Sequence, residues 1–153
     1  MNALVLYDSR FDHTEQLAQE LVEKLREHGV ANSVPIDSLR VEEMDHADLI
    51  VVGSPSDGFG LTPAVEEFLE NVPPSALLGK HVAVFDTRQH VPWLTLGSAA
   101  HRIARRMRDM GAVLVASPIS FFLVGKEGPL DAHEELKAEE WAHLVVEKSR
   151  NLN

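Results

Sequence analysis

The sequence predicts an α/β fold, a doubly wound parallel sheet of five strands in the order 2-1-3-4-5 with helices on both faces. Three observations predict it. Apolar runs alternate with amphipathic stretches along the chain, the runs at 3–8 and 48–53 are continuous rather than alternating, and no repeat, low-complexity tract or linker interrupts the succession. Crossovers between parallel strands are right-handed, so strands connected in this way reverse their order between the first and the third.

The first strand covers 3–8, Ala-Leu-Val-Leu-Tyr-Asp, the pattern of a strand buried on both sides. Residues 13–28 follow as a helix with Leu17, Ala18, Leu21, Val22 and Leu25 on one face and Gly29 as its stop. The second strand, 31–36, contains Pro35 and therefore suits the sheet edge. A third strand spans 48–53, and Pro63, a favoured first helical residue, opens a short helix over 63–71. Residues 82–85 form the fourth strand. A helix over 98–110 turns Ala100, Ile103, Ala104 and Met107 inward and is closed by Gly111. Residues 113–116 and 119–122 read as one last strand broken at Ser117-Pro118, and 132–149 as the final helix.

With 153 residues, 44% of them hydrophobic, the chain has the size and composition of a single domain, 1–153. No apolar run is long enough to cross a bilayer, and Met1-Asn2-Ala3 leads straight into the first strand, so a cytoplasmic protein with no membrane partner is expected. The absence of cysteine excludes disulfides, iron–sulfur clusters and thiolate nucleophiles, and any redox chemistry must come from a cofactor. A formal charge of −10 disfavours nucleic acid as a partner. One basic cluster stands against that background: Arg102, Arg105 and Arg106, with Asp109, lie opposite Ile103, Ala104 and Met107, and Arg108 is close by. A solvated helix face and a dock for an acidic partner both account for it.

Two loops carry the chemistry. Ser9-Arg10-Phe11-Asp12-His13-Thr14 follows the first strand, and Ser54-Pro55-Ser56-Asp57-Gly58-Phe59-Gly60 the third, so both leave from the predicted reversal point, where open α/β sheets bind ligands. Hydroxyls beside a helix N-terminus suit a phosphate, although they also serve as ordinary caps. Eight histidines include no pair of the His-Glu-x-x-His type, and no Gly-x-x-x-x-Gly-Lys or Gly-x-Gly-x-x-Gly run appears. Ser54 and Ser98 lack a nucleophile-elbow setting. A phosphorylatable receiver would need an Asp at the end of the third strand, where this chain has Gly53-Ser54-Pro55.

Tyr7-Asp8-Ser9-Arg10-Phe11-Asp12-His13-Thr14 closely resembles the phosphate loop of the flavodoxin family, whose bacterial members read roughly Tyr-Glu-Ser-x-Phe-Gly-Asn-Thr. The resemblance extends through Val52 to Gly60, through Val84-Phe85-Asp86-Thr87-Arg88 with Pro92-Trp93-Leu94 and Gly97-Ser98-Ala99-Ala100, and through Phe121 to Val124 with Glu127-Gly128-Pro129-Leu130. It implies noncovalent FMN, with Ser9, Arg10, Phe11, Asp12, His13 and Thr14 around the phosphate. Pro55, Ser56, Asp57, Gly58, Phe59 and Gly60 would follow one edge of the ring system, and Thr87, Arg88, Gln89 and Trp93 the other. Phe59 and Trp93 are candidates for stacking, with core packing as the plain alternative. The implied function is electron transfer, as a carrier or a small flavin-dependent reductase, with a protein or a small-molecule electron acceptor as partner.

This chain departs from the pattern at Asp12-His13, where the family usually has Gly-Asn. Asp12 with Glu15 three residues on also forms the sequence pattern of a capping box, whose carboxylate would occupy the N–H groups a phosphate needs. Arg10 and Arg88 could offset the added charge. A second expectation therefore stands beside the first: the same fold with a degenerate loop, without flavin, acting as a protein-binding module.

Overall fold

The computed structural model describes residues 1–8, 12–56, 61–89, 98–124 and 130–152, with Asp12 described in its backbone alone. Strand β1, Asn2–Tyr7, leads to helix α1, Asp12–Arg26, and strand β2, Val30–Pro35. A 3-10 turn at Ile36–Ser38 and a five-residue helix α2, Val41–Asp45, precede β3, Leu49–Pro55. Then come α3, Pro63–Asn71, α4, Pro74–Leu77, β4, His81–Gln89, and α5, Ala99–Asp109. Strands β5, Val113–Leu114, and β6, Ile119–Leu123, and helix α6, Ala132–Asn151, complete the described elements.

The sheet is parallel in the order β2-β1-β3-β4-β5, as expected. Its outer position beside β4 is filled twice. β5 pairs with His81 and Val82, and after the break at Ser117-Pro118 β6 pairs with Phe85 through Gln89. The interruption read from the sequence is therefore real, and both pieces serve one strand position. β2 pairs with β1 alone, which is why Pro35 is tolerated at its end.

Successive side chains of each central strand face opposite layers. Val5, Val51, Ala83 and Phe85 pack with Leu17, Leu21 and Leu25 of α1 and Trp141 and Val145 of α6. Leu4, Leu6, Ile50, Val52, Val82 and Val84 pack with Val65 and Leu69 of α3 and Ile103 and Met107 of α5. In the first layer Phe85, Phe121 and Trp141 meet edge to face, with centroids 5.9 to 6.2 Å apart. That arrangement adds about 0.5–1.5 kcal/mol per pair to burial. Gly53 lies against one member of this triad: a Cβ there would enter the Phe85 ring. At the end of α5, Gly111 has φ +92°, a left-handed conformation that lets the chain turn beside Leu78.

Differences from the sequence reading are local. The two short helices and the 3-10 turn are too brief to show a periodicity and were not expected. β4 continues four residues past the expected 82–85, because it is paired on both sides, with Ser54 and Pro55 of β3 and with β6. Thr87, Arg88 and Gln89 thus belong to a strand rather than a loop. Among the described residues, no helix is long and apolar enough to cross a membrane.

Candidate functional site

β1 and β3 lie side by side, yet the helices that follow them cover opposite layers, so the chain diverges at their carboxyl ends. The residues at that edge are Asp8 after β1, Pro55 and Ser56 at the end of β3, and Thr87 to Gln89 in β4. Thr14, in the first turn of α1, is buried and its hydroxyl lies 2.9 Å from that of Thr87, also buried. In such a pair one hydroxyl donates to the other, which leaves one O–H without an acceptor among the described residues. The backbone N–H of Ser56 donates to the Thr87 carbonyl at 2.9 Å, closing β3 onto β4 at the same point.

A second cluster fastens the start of α5. The Ser56 hydroxyl accepts from the N–H of Ala99 at 3.1 Å, the Asp86 carboxylate from Ala100 at 3.0 Å, and the Ser98 hydroxyl from His101 at 3.2 Å. Three of the helix's opening donors are thereby satisfied by side chains from two strand ends and the cap. Asp86 is fully buried, and its other oxygen, Oδ1, has no hydrogen-bond partner among the described residues. The N-termini of α3 and α6 are likewise capped, by Thr62 and Asp131.

Farther along the edge, the Arg88 guanidinium lies 5.4 Å from the Phe122 ring centroid, and the Lys137 ammonium lies 5.0 Å from that centroid. Lys137 is tied to the Ser120 carbonyl at 2.5 Å and to Glu134 at 3.1 Å, and Glu134 also accepts from the Phe122 N–H. On the α1 side, the Tyr7 hydroxyl donates to Glu15 at 3.3 Å. Burial, and then the neighbouring Glu15 and Asp37 carboxylates, push the Tyr7 pKa above the ordinary tyrosine value.

Of the expected site residues, the structure brings Thr14, Pro55, Ser56 and Thr87 to one edge, with Arg88 half-buried and Gln89 exposed beyond them. His13 is half-buried in the opening turn of α1. That helix begins at Asp12, and Glu15 receives the Tyr7 hydroxyl. Ser9, Arg10, Phe11, Asp57, Gly58, Phe59, Gly60 and Trp93 lie outside the described residues. Sequence reasoning missed the fastening role of Asp86; its signal was an acid in the apolar run from Val82 to Phe85, where a buried charge requires a partner.

The flavodoxin family model matches residues 5–141. No curated protein sequence matches significantly. Among solved structures, oxidised flavodoxin 2 of Bacillus cereus is 26% identical with a TM-score of 0.81, over 97% of this chain and 99% of that one. A flavodoxin from the domain Archaea is 20% identical with a TM-score of 0.79, over 98% and 99%. The rubredoxin oxygen:oxidoreductase of Desulfovibrio gigas, of which only 36% is covered, is 20% identical over 98% of this chain with a TM-score of 0.79. The chain belongs to the flavodoxin family of FMN-binding electron-transfer proteins.

Proposed function

We propose that this protein is an electron carrier that holds FMN at the divergence of β1 and β3, with the phosphate at the opening of α1. The observation that carries this reading is the buried Thr14–Thr87 hydroxyl pair at a helix N-terminus, with one O–H uncommitted among the described residues. The openings of α3, α5 and α6 are already answered by Thr62, by Ser56, Asp86 and Ser98, and by Asp131, which favours α1 for the anion. Thr14 and Thr87, with the N–H groups that open α1, are the donor set that a phosphate needs. Ser9 to Thr14 would surround that group, Pro55 to Gly60 would follow one ring edge, and Thr87 to Gln89 with Trp93 the other. FMN supplies the one- or two-electron chemistry. An edge of this kind would hold the cofactor and let it hand electrons to a protein or small-molecule acceptor.

Titration with FMN, followed by flavin absorbance and quenching of flavin fluorescence, tests the reading. The protein is expected to bind FMN tightly. Thr14→Val should weaken binding by roughly ten-fold or more, the value of a hydrogen bond to a charged group. Asp12→Gly should tighten it by roughly ten-fold, since it removes a carboxylate from the helix opening. If neither the natural chain nor Asp12→Gly takes up FMN in excess, the carrier reading fails and the protein-binding module replaces it.

A further inference from the structure

Helix α5 departs from the usual charge pattern at its start. A helix gains from acids in its first turn and bases in its last, and like charges three or four residues apart repel. The other two long helices follow the first rule: α6 has Glu134 and Glu135 in its first turn and Lys148 and Arg150 in its last, and α1 ends on Lys24 and Arg26. α5 ends on bases too, Arg106 and Arg108, but has no acid in its first turn and Arg102 as its fourth residue, with Arg105 between. The pairs Arg102/Arg105, Arg102/Arg106 and Arg105/Arg108 are all at repelling distances along the helix.

Ile103, Ala104 and Met107 are buried, so the opposite face is what solvent meets. Arg102, Arg105 and Arg108 are exposed there with no ion pair among the described residues, and Arg106 alone is paired, with Glu66 at 3.5 Å. This basic face, about 9 Å long from Arg102 to Arg108 and interrupted by the exposed Asp109 alone among the residues of α5, lies on a chain of net charge −10. It begins beside the candidate flavin edge, because the first turn of α5 is bonded to Ser56 and Asp86.

We propose that the exposed face of α5 is the docking surface for an acidic protein, the redox partner of this carrier. The redox role rests on the function proposed above; the docking surface rests on the charge pattern. Arginine suits the task because its planar guanidinium takes a carboxylate with two parallel hydrogen bonds. An acidic protein patch matches a short basic face, whereas an extended polyanion, such as a nucleic acid or an anionic bilayer, would also meet the acidic remainder of the chain.

The test titrates the 15N-labelled full chain, with and without FMN, with an acidic [2Fe–2S] ferredoxin at low salt. Amide shifts concentrated in residues 99–109 are expected, with affinity at least roughly ten-fold weaker at high salt and in Arg102→Gln/Arg105→Gln/Arg108→Gln. FMN binding, read by absorbance, should be unchanged in that variant. Arg102→Glu should abolish the shifts yet raise Tm by about 1–3 °C, because it corrects the helix charge; a stabilising role for Arg102 would lower Tm. Shifts that are absent or lie elsewhere, equal binding by the triple variant, or tighter binding to phosphatidylserine vesicles than to the ferredoxin would overturn the proposal. Docking without FMN uptake would leave the surface standing and remove the carrier reading; FMN uptake with a silent α5 would do the reverse.

Discussion

Asp86 does at one position what capping residues elsewhere in the molecule do from their own helix. Its carboxylate comes from a neighbouring strand, is fully buried, and meets the Ala100 N–H with one oxygen while the other has no partner among the described residues. Asp86→Ala should therefore lower stability by about 1–2 kcal/mol in denaturant unfolding, because a buried helix donor loses its acceptor. Asp86→Asn keeps an amide oxygen for that donor and should cost clearly less; equal losses would show that charge, not the hydrogen bond, is what the position supplies. Gly53 is a second position set by contact. Gly53→Ala should cost about 1–3 kcal/mol, since the methyl group must displace the buried Phe85 ring from its packing with Phe121 and Trp141. Neither role was legible beforehand. An acid in a strand and a glycine before Ser54 are visible in the sequence, but the partners lie 14 and 32 residues away and only the fold supplies them.

Helices and strands with strong periodicity were legible as elements, and their ends were not. The apolar face of α1 was readable from Leu17 to Leu25, yet the helix runs Asp12–Arg26 because its limits depend on bonds that periodicity does not report. β4 outran expectation for a related reason: its last residues are polar, and pairing with β6 on one side and β3 on the other keeps them extended. The seam between α1 and α6 gives a pH-dependent prediction. Partial burial, and then the nearby Glu135, raise the Glu20 pKa above 4.5, while Lys24 opposes the shift. A raised value means the folded chain binds its proton more tightly than the unfolded one, so ionised Glu20 is a burden at neutral pH that disappears as pH falls below that range. Glu20→Gln should stabilise by a few tenths of a kcal/mol, about the value of an exposed charge pair, at pH 7 and by nothing near pH 3. Urea titrations at the two pH values check both the size and the sign.

At the scale of the whole molecule, strand order and the two apolar layers were readable because they follow from continuous runs and the handedness of crossovers, which need no knowledge of partners. The site was readable only in outline. Thr14 and Thr87 were named separately, and their meeting 73 residues apart in sequence is a product of the sheet order. We propose that residues 1–153 form one cooperative unit, since both layers share the same central strands. Calorimetry should show a single thermal transition that FMN moves upward, by about 2.7 kcal/mol of added stability at a hundred-fold excess over Kd; two transitions, or one indifferent to FMN, would contradict the unit or its ligand. The Ser56–Ala99 bond spans 43 residues and ties the end of β3 to the first turn of α5. Pulling the end of β3 away either snaps that stitch or drags the first turn of α5 with it, so strain at the strand end would be felt along the arginine face.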